Sequence, residues 1–178
     1  MYDEIASELG EEMAGPKPSE GFEYQSAEGS FAREKLGRAA RAVYEALVAA
    51  GATKFRVRYD GGYDEGFSHP DAVTFAGRER SIEEVAAELG RGGALSKKLR
   101  ETAGKDSSWG NAAELYGGAS DEQTITYALD ELAHELASKL LGDGYGTGEY
   151  QLYGAFTADL GSGEIVDHED AEKPLEME

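Results

Sequence analysis

Thr53-Lys54-Phe55-Arg56-Val57-Arg58-Tyr59 decides the fold. Phe55, Val57 and Tyr59 alternate with Lys54, Arg56 and Arg58, a period that only an extended chain sorts onto two faces. The spacing predicts a strand with one buried face and one solvated, basic face. Downstream, Asp60-Gly61-Gly62-Tyr63-Asp64-Glu65-Gly66 reads as a long loop, because glycines and short acids suit turns. Residues 72–76 (AVTFA) return as a second strand, with Val73 and Phe75 pointing one way. The pair is expected to form an antiparallel hairpin.

Upstream, residues 30–50 carry an apolar stripe at helical spacing: Phe31, Leu36, Ala39, Ala40, Val43, Leu47 and Val48. Arg33, Arg38 and Arg41 fall outside it; Ser30 is the expected N-cap and Gly51 the stop. Downstream, Ser81 and Glu84 form a capping box that opens a short helix through Leu89, with Ile82, Val85, Ala86 and Leu89 inward. Residues 94–103 read as another short helix with basic Lys97, Lys98 and Arg100. Residues 104–118 are glycine-rich and irregular, and hold the only tryptophan, Trp109. Ser120 caps a long helix over 121–141, whose stripe is Ile125, Leu129, Leu132, Leu136 and Leu140. A glycine-rich turn (142–148) leads to a strand over 149–159, a Gly161-Ser162-Gly163 connection and a fourth strand over 164–168. The expected class is α+β: a two-layer sandwich, with a four-stranded antiparallel sheet from two hairpins and two long amphipathic helices on one face.

Charge divides the chain unevenly. Of the net -19, residues 1–28 hold -7, with eight acids and Lys17. Residues 29–105 hold +3, and residues 106–178 hold -15. Three parts follow: an acidic N-terminal helix and linker (1–28), a single domain (29–170) and an acidic tail (171–178). In the first part Ile5, Leu9 and Met13 recur at helical spacing over 2–13, before Pro16 and Pro18. The field repels polyanions, which argues against free nucleic acid and anionic membranes as ligands and for a basic partner. With no cysteine, disulfides and thiolate chemistry are excluded. No signal peptide or membrane span is read, so a soluble, cytoplasmic protein is expected.

Three stretches carry a resemblance. They are Val57-Arg58-Tyr59-Asp60-Gly61-Gly62-Tyr63-Asp64-Glu65-Gly66, Ala128-Leu129-Asp130-Glu131-Leu132 with Gly144 to Gly148, and Tyr153-Gly154-Ala155-Phe156-Thr157-Ala158-Asp159. Together they resemble an uncharacterised domain family of small acidic proteins encoded on plasmids, prophages and phages, over about half the chain. The resemblance implies a mobile-element origin and a bacterial or archaeal host. It implies no activity. The acidic N-terminal segment and residues 104–118 stand outside it.

Catalytic motifs fail on spacing. His134-Glu135 begins a zinc-protease pattern, but Ser138 stands where the second histidine belongs. Asp130 and His134 lie one helical turn apart, and two ligands do not make a metal site. Asp60, Asp64 and Glu65 miss calcium-loop spacing, and with His69 they are the best candidates for a hidden metal-dependent hydrolase. Gly142-Asp143-Gly144-Tyr145-Gly146 follows a helix instead of opening one, the wrong pole for phosphate.

The leading expectation is a non-enzymatic inhibitor without cofactor or metal. It binds a basic nucleic-acid-binding host defence protein, of the kind blocked by anti-CRISPR or antirestriction proteins, as a nucleic-acid mimic. Asp121, Glu122, Asp130, Glu131, Glu135, Glu149, Asp159, Glu164 and Asp167 would present the charge. They cannot match DNA's one charge per about 1.7 Å, but suffice for a basic groove. Trp109, Tyr145, Tyr150 and Tyr153 would supply apolar anchors. The alternatives are the metal-dependent hydrolase and a phage accessory protein that self-associates.

Overall fold

A computed structural model describes residues 28–62, 65–105, 118–142 and 152–168. The helix expected at 2–13, most of the irregular stretch, the glycine-rich turn and the acidic tail lie outside the described residues. The order is β1 (Glu28–Ser30), a 3-10 turn (Arg33–Lys35), α1 (Arg38–Ala49), β2 (Ala52–Gly62), β3 (Glu65–Phe75) and β4 (Arg78–Ser81). Then come α2 (Ile82–Leu89), α3 (Ala94–Lys105), α4 (Asp121–Leu141), β5 (Leu152–Asp159) and β6 (Glu164–His168). The class is α+β. The sheet has six strands, not the expected four, all antiparallel and in the order β1-β6-β5-β2-β3-β4.

Both expected hairpins pair, and β2 joins β5 between them. The two extra strands sit at the edges. Ser30 is not a helix cap: it ends β1, opposite Glu164 of β6. The first helix starts later than expected, at Arg38. Leu36, Ala39, Ala40, Val43 and Leu47 are buried as its stripe requires, while Val48 is exposed. At the other edge, Ala76 (φ 51) and Gly77 (φ 81) make a two-residue turn from β3 into β4.

The stretch read as a long loop is a tight hairpin. Gly62 pairs with Glu65, so only two residues separate β2 from β3. β3 is longer than the expected 72–76 and runs through Pro70. A proline fits here because of register. The Gly62–Glu65 pair closes a two-residue turn, so its backbone groups face each other. By alternation Phe67 and His69 also turn theirs toward β2, while Gly66, Ser68 and Pro70 turn outward. The missing N–H of Pro70 therefore costs the β2 ladder nothing. The register then shifts from Val57–Pro70 to Arg56–Ala72, leaving Asp71 as a β-bulge whose carboxylate accepts from Arg56 Nε at 2.6 Å.

One core joins the helices to one sheet face. Phe55, Val57 and Tyr59 of β2, Phe156 of β5 and Ile165 of β6 share it with Val43, Leu47, Val85, Leu99 and the apolar stripe of α4. α4 is the central helix and packs against α1, α2, α3 and β3. Ten of its 21 residues are buried, none of them acidic. Its N-terminus carries a full capping box: Gln123 N donates to Ser120 Oγ at 3.1 Å and Ser120 N to Gln123 Oε1 at 3.2 Å. The Ser81–Glu84 box of α2 is present as expected.

α1 has no local cap. Its N-cap position is Gly37, whose N–H donates to Glu135 Oε1 of α4 at 2.9 Å. A Cβ at residue 37 would lie 2.6 Å from Glu135 Oε2, so a larger residue there would push the carboxylate tip aside. Glu135→Ala is expected to cost about 1 kcal/mol, the usual value of a lost cap. Chemical denaturation should show a lowered midpoint with an unchanged m-value.

Candidate functional site

The sheet face opposite the core is where the basic residues of β2 emerge. A shallow groove of about 390 Å³ crosses it, lined by Lys54, Arg56, Thr74, Glu79, Thr157, Asp159, Glu164, Val166 and His168. Cross-strand partners explain the hollow, since Arg56 stands between Ala72 and Thr157, and Arg58 beside Ala155. Small side chains flank long ones and leave a trough. Arg56 is held between Asp71 and Glu79. Burial works against its charge, but hydrogen bonds and charge from Asp71 and Glu79 outweigh that and raise its pKa. Thr157 Oγ1 and His168 Nε2 are 2.6 Å apart. Val166 stands 44% exposed in this polar setting. Sequence reasoning found the alternating bases but not the groove, whose walls come from five strands that only the β2–β5 pairing brings into one sheet.

The carboxylates expected to face a partner are dispersed. Asp121 sits at the start of α4, where its Oδ1 accepts from Ser96 Oγ at 2.7 Å and Arg100 Nη2 at 3.0 Å. These bonds hold its carboxyl below the usual value. Glu122 is exposed beside it. Glu131 is half-buried and partnered, and Glu135 caps α1. Asp159 accepts from the backbone N–H of Ser162 and Gly161, both at 2.9 Å, and these bonds lower its pKa. Asp167 points into the core and accepts from Tyr59 Oη at 2.9 Å. Asp159 and Glu164 line the groove, on the other side of the sheet from α4. Tyr153 stands opposite Asp60 in the ladder; Trp109, Tyr145, Glu149 and Tyr150 lie outside the described residues.

No known protein family, curated protein or solved structure matches this chain.

Of the residues considered for a metal, Asp60 is buried within β2 and exposed His69 follows on β3, while Asp64 lies outside the described residues. Among the described residues no three His, Asp or Glu side chains gather to hold a metal ion. Asp130 is half-buried. Burial pushes its pKa up, and the charge of His69 only partly offsets this. A carboxyl raised in the folded state adds stability below its unfolded value, near 3.8, and loses it as pH rises through the folded value. Asp130→Asn is therefore expected to melt above the parent at pH 7. The difference should vanish at pH 3, where the parent carboxyl is protonated in both states. Thermal unfolding at the two pH values checks this.

The β1–β6 ladder carries the broadest electrostatic consequence. Glu28 pairs with Val166, and the chain leaves β6 two residues later at His168. Residues 1–28 carry -7 and residues 169–178 carry -4. The two segments are thus tethered to adjacent strands at the same end of the sheet. The β2–β3 turn is at that end too, because Gly61 pairs with Leu152 and Ala155 with His168. Among the described residues no helix is long and apolar enough to cross a membrane.

Proposed function

We propose that this chain is a non-enzymatic binding protein whose two acidic end segments act together on one basic partner, a nucleic-acid-binding protein. The observation that carries the reading is the pairing of Glu28 with Val166, which tethers two acidic segments distant in sequence to one end of the sheet. Two like-charged segments on one mount raise the local field more than the same charges dispersed, and speed encounter with a basic groove. In this reading the molecule is a two-layer sandwich whose helices back the sheet and brace that mount. Weight shifts from the acids of α4, several of which hold the fold together, to Glu164 and the end segments. The partner class we propose is a host defence complex, a CRISPR effector or restriction nuclease, with the chain encoded by a mobile element. The host cytoplasm is the compartment this requires.

Affinity capture with the full chain, competed by duplex DNA, tests the reading. A single nucleic-acid-binding complex displaced by DNA supports it. Capture indifferent to DNA removes the mimicry.

A further inference from the structure

β4 pairs with β3 only from Ala72 to Phe75. The outer edge of β3 from Glu65 to Asp71 has no ladder partner among the described residues. Gly66 and Ser68 turn their N–H and C=O groups out along this edge. Phe67, between them, is 50% exposed, a large apolar side chain at a free edge. Such an edge is a template for another strand. Pro70 and the bulge at Asp71 bound it on one side and the tight hairpin on the other, so the usable run is short.

We propose that this edge pairs with the same edge of a second copy, antiparallel and centred on Phe67. The sequence Glu65-Gly66-Phe67-Ser68-His69 is self-complementary in that register. Gly66 stands opposite Ser68 of the second copy, and the reverse, and these outward-facing pairs exchange roughly four backbone hydrogen bonds. Phe67 stands opposite Phe67 of the second copy at the non-hydrogen-bonded position, where side chains approach most closely. Glu65 stands opposite His69 of the second copy, an acid against a base. A register one residue along, centred on Ser68, sets Glu65 against Asp71 and brings in Pro70, which has no N–H to give. The pairing is two-fold symmetric and consumes the edge, so it closes at a dimer. Each copy carries -19, so repulsion opposes the dimer and added salt strengthens it. Binding of a basic partner weakens with salt, so the two proposals succeed or fail separately.

The chain has no cysteine, which makes the test clean. Phe67→Cys places two thiols across a non-hydrogen-bonded pair, within the Cα separation that a disulfide spans. Under oxidised glutathione at high salt the full chain is expected to accumulate as a disulfide dimer, while Val48→Cys, exposed on α1, stays monomeric. Ser68→Pro removes an outward N–H that the β2 ladder does not use, and His69→Glu sets like charges opposite each other. Each, added to Phe67→Cys, is expected to abolish the dimer. For the parent chain, light scattering is expected to rise from 19.1 kDa toward twice that as protein and salt increase. Cross-linking of Phe67→Cys no faster than Val48→Cys would overturn the proposal, as would a parent mass fixed at one chain.

Discussion

Gly154→Ala is expected to destabilise the fold by about 3 kcal/mol, combining overpacking with the loss of a buried hydrogen bond. Gly154 of β5 stands opposite Tyr59 of β2, and the tyrosine ring lies across it. A Cβ at 154 would come 2.7 Å from Tyr59 Oη and 2.9 Å from Cζ, distances no packed structure holds. The ring must move. Doing so breaks its bond to Asp167 Oδ1 and disturbs its stacking on Phe156, at 6.2 Å between centroids. Asp167 is 6% exposed, so it would lose the Tyr59 hydroxyl where water hardly replaces it. Tyr59→Phe keeps the ring and removes only the bond, and should cost about 1–3 kcal/mol. Denaturant titration of both variants separates the two contributions.

Neutralising the acids next to both tethers is expected to slow partner association by on the order of 100-fold at low salt, toward the rate of an unsteered encounter. The variant converts Glu20, Glu23, Glu28, Glu169, Asp170 and Glu172 to their amides. A control converts six other acids to their amides, Glu34, Glu83, Glu84, Glu88, Glu101 and Glu122, which are exposed on the helices and the 3-10 turn. The control should change the rate far less, because the tethers, not the total charge, set the local field. Stopped-flow association at two ionic strengths distinguishes the cases. Treating either end alone should give an intermediate loss, since both segments act on one partner.

The central hairpins were legible because their signal is local. Alternation in Phe55-Arg56-Val57-Arg58-Tyr59 specifies a half-buried strand wherever it occurs. The long helix was legible from its leucine spacing and its serine cap. The edge strands were not. Arg78–Ser81 is charged and exposed, as edge strands tend to be, so it carries no alternation to read. Glu28–Ser30 has only three residues and is held by β6, a partner far along the chain. The second strand was read only over 72–76; its first half runs through glycine and Pro70, and which way that missing N–H faces is set by register, which spacing does not show. The site was less legible still. Acidic residues on α4 look alike in sequence, yet Glu135 caps another helix and Asp121 bonds Ser96 and Arg100. Tertiary partners assign such roles, and spacing does not reveal them. That both acidic segments leave from one end of the sheet is likewise a property of strand pairing, not of local sequence.

The most direct test of the central claim is affinity capture from the lysate of a CRISPR- and restriction-competent host. The parent chain and the variant with both ends neutralised are compared, with and without duplex DNA, at low and moderate salt. The parent is expected to retain one nucleic-acid-binding complex at moderate salt, DNA to displace it, and the neutralised variant to fail to capture it. Equal capture by both chains, or only a salt-labile mixture of basic proteins, would contradict the claim.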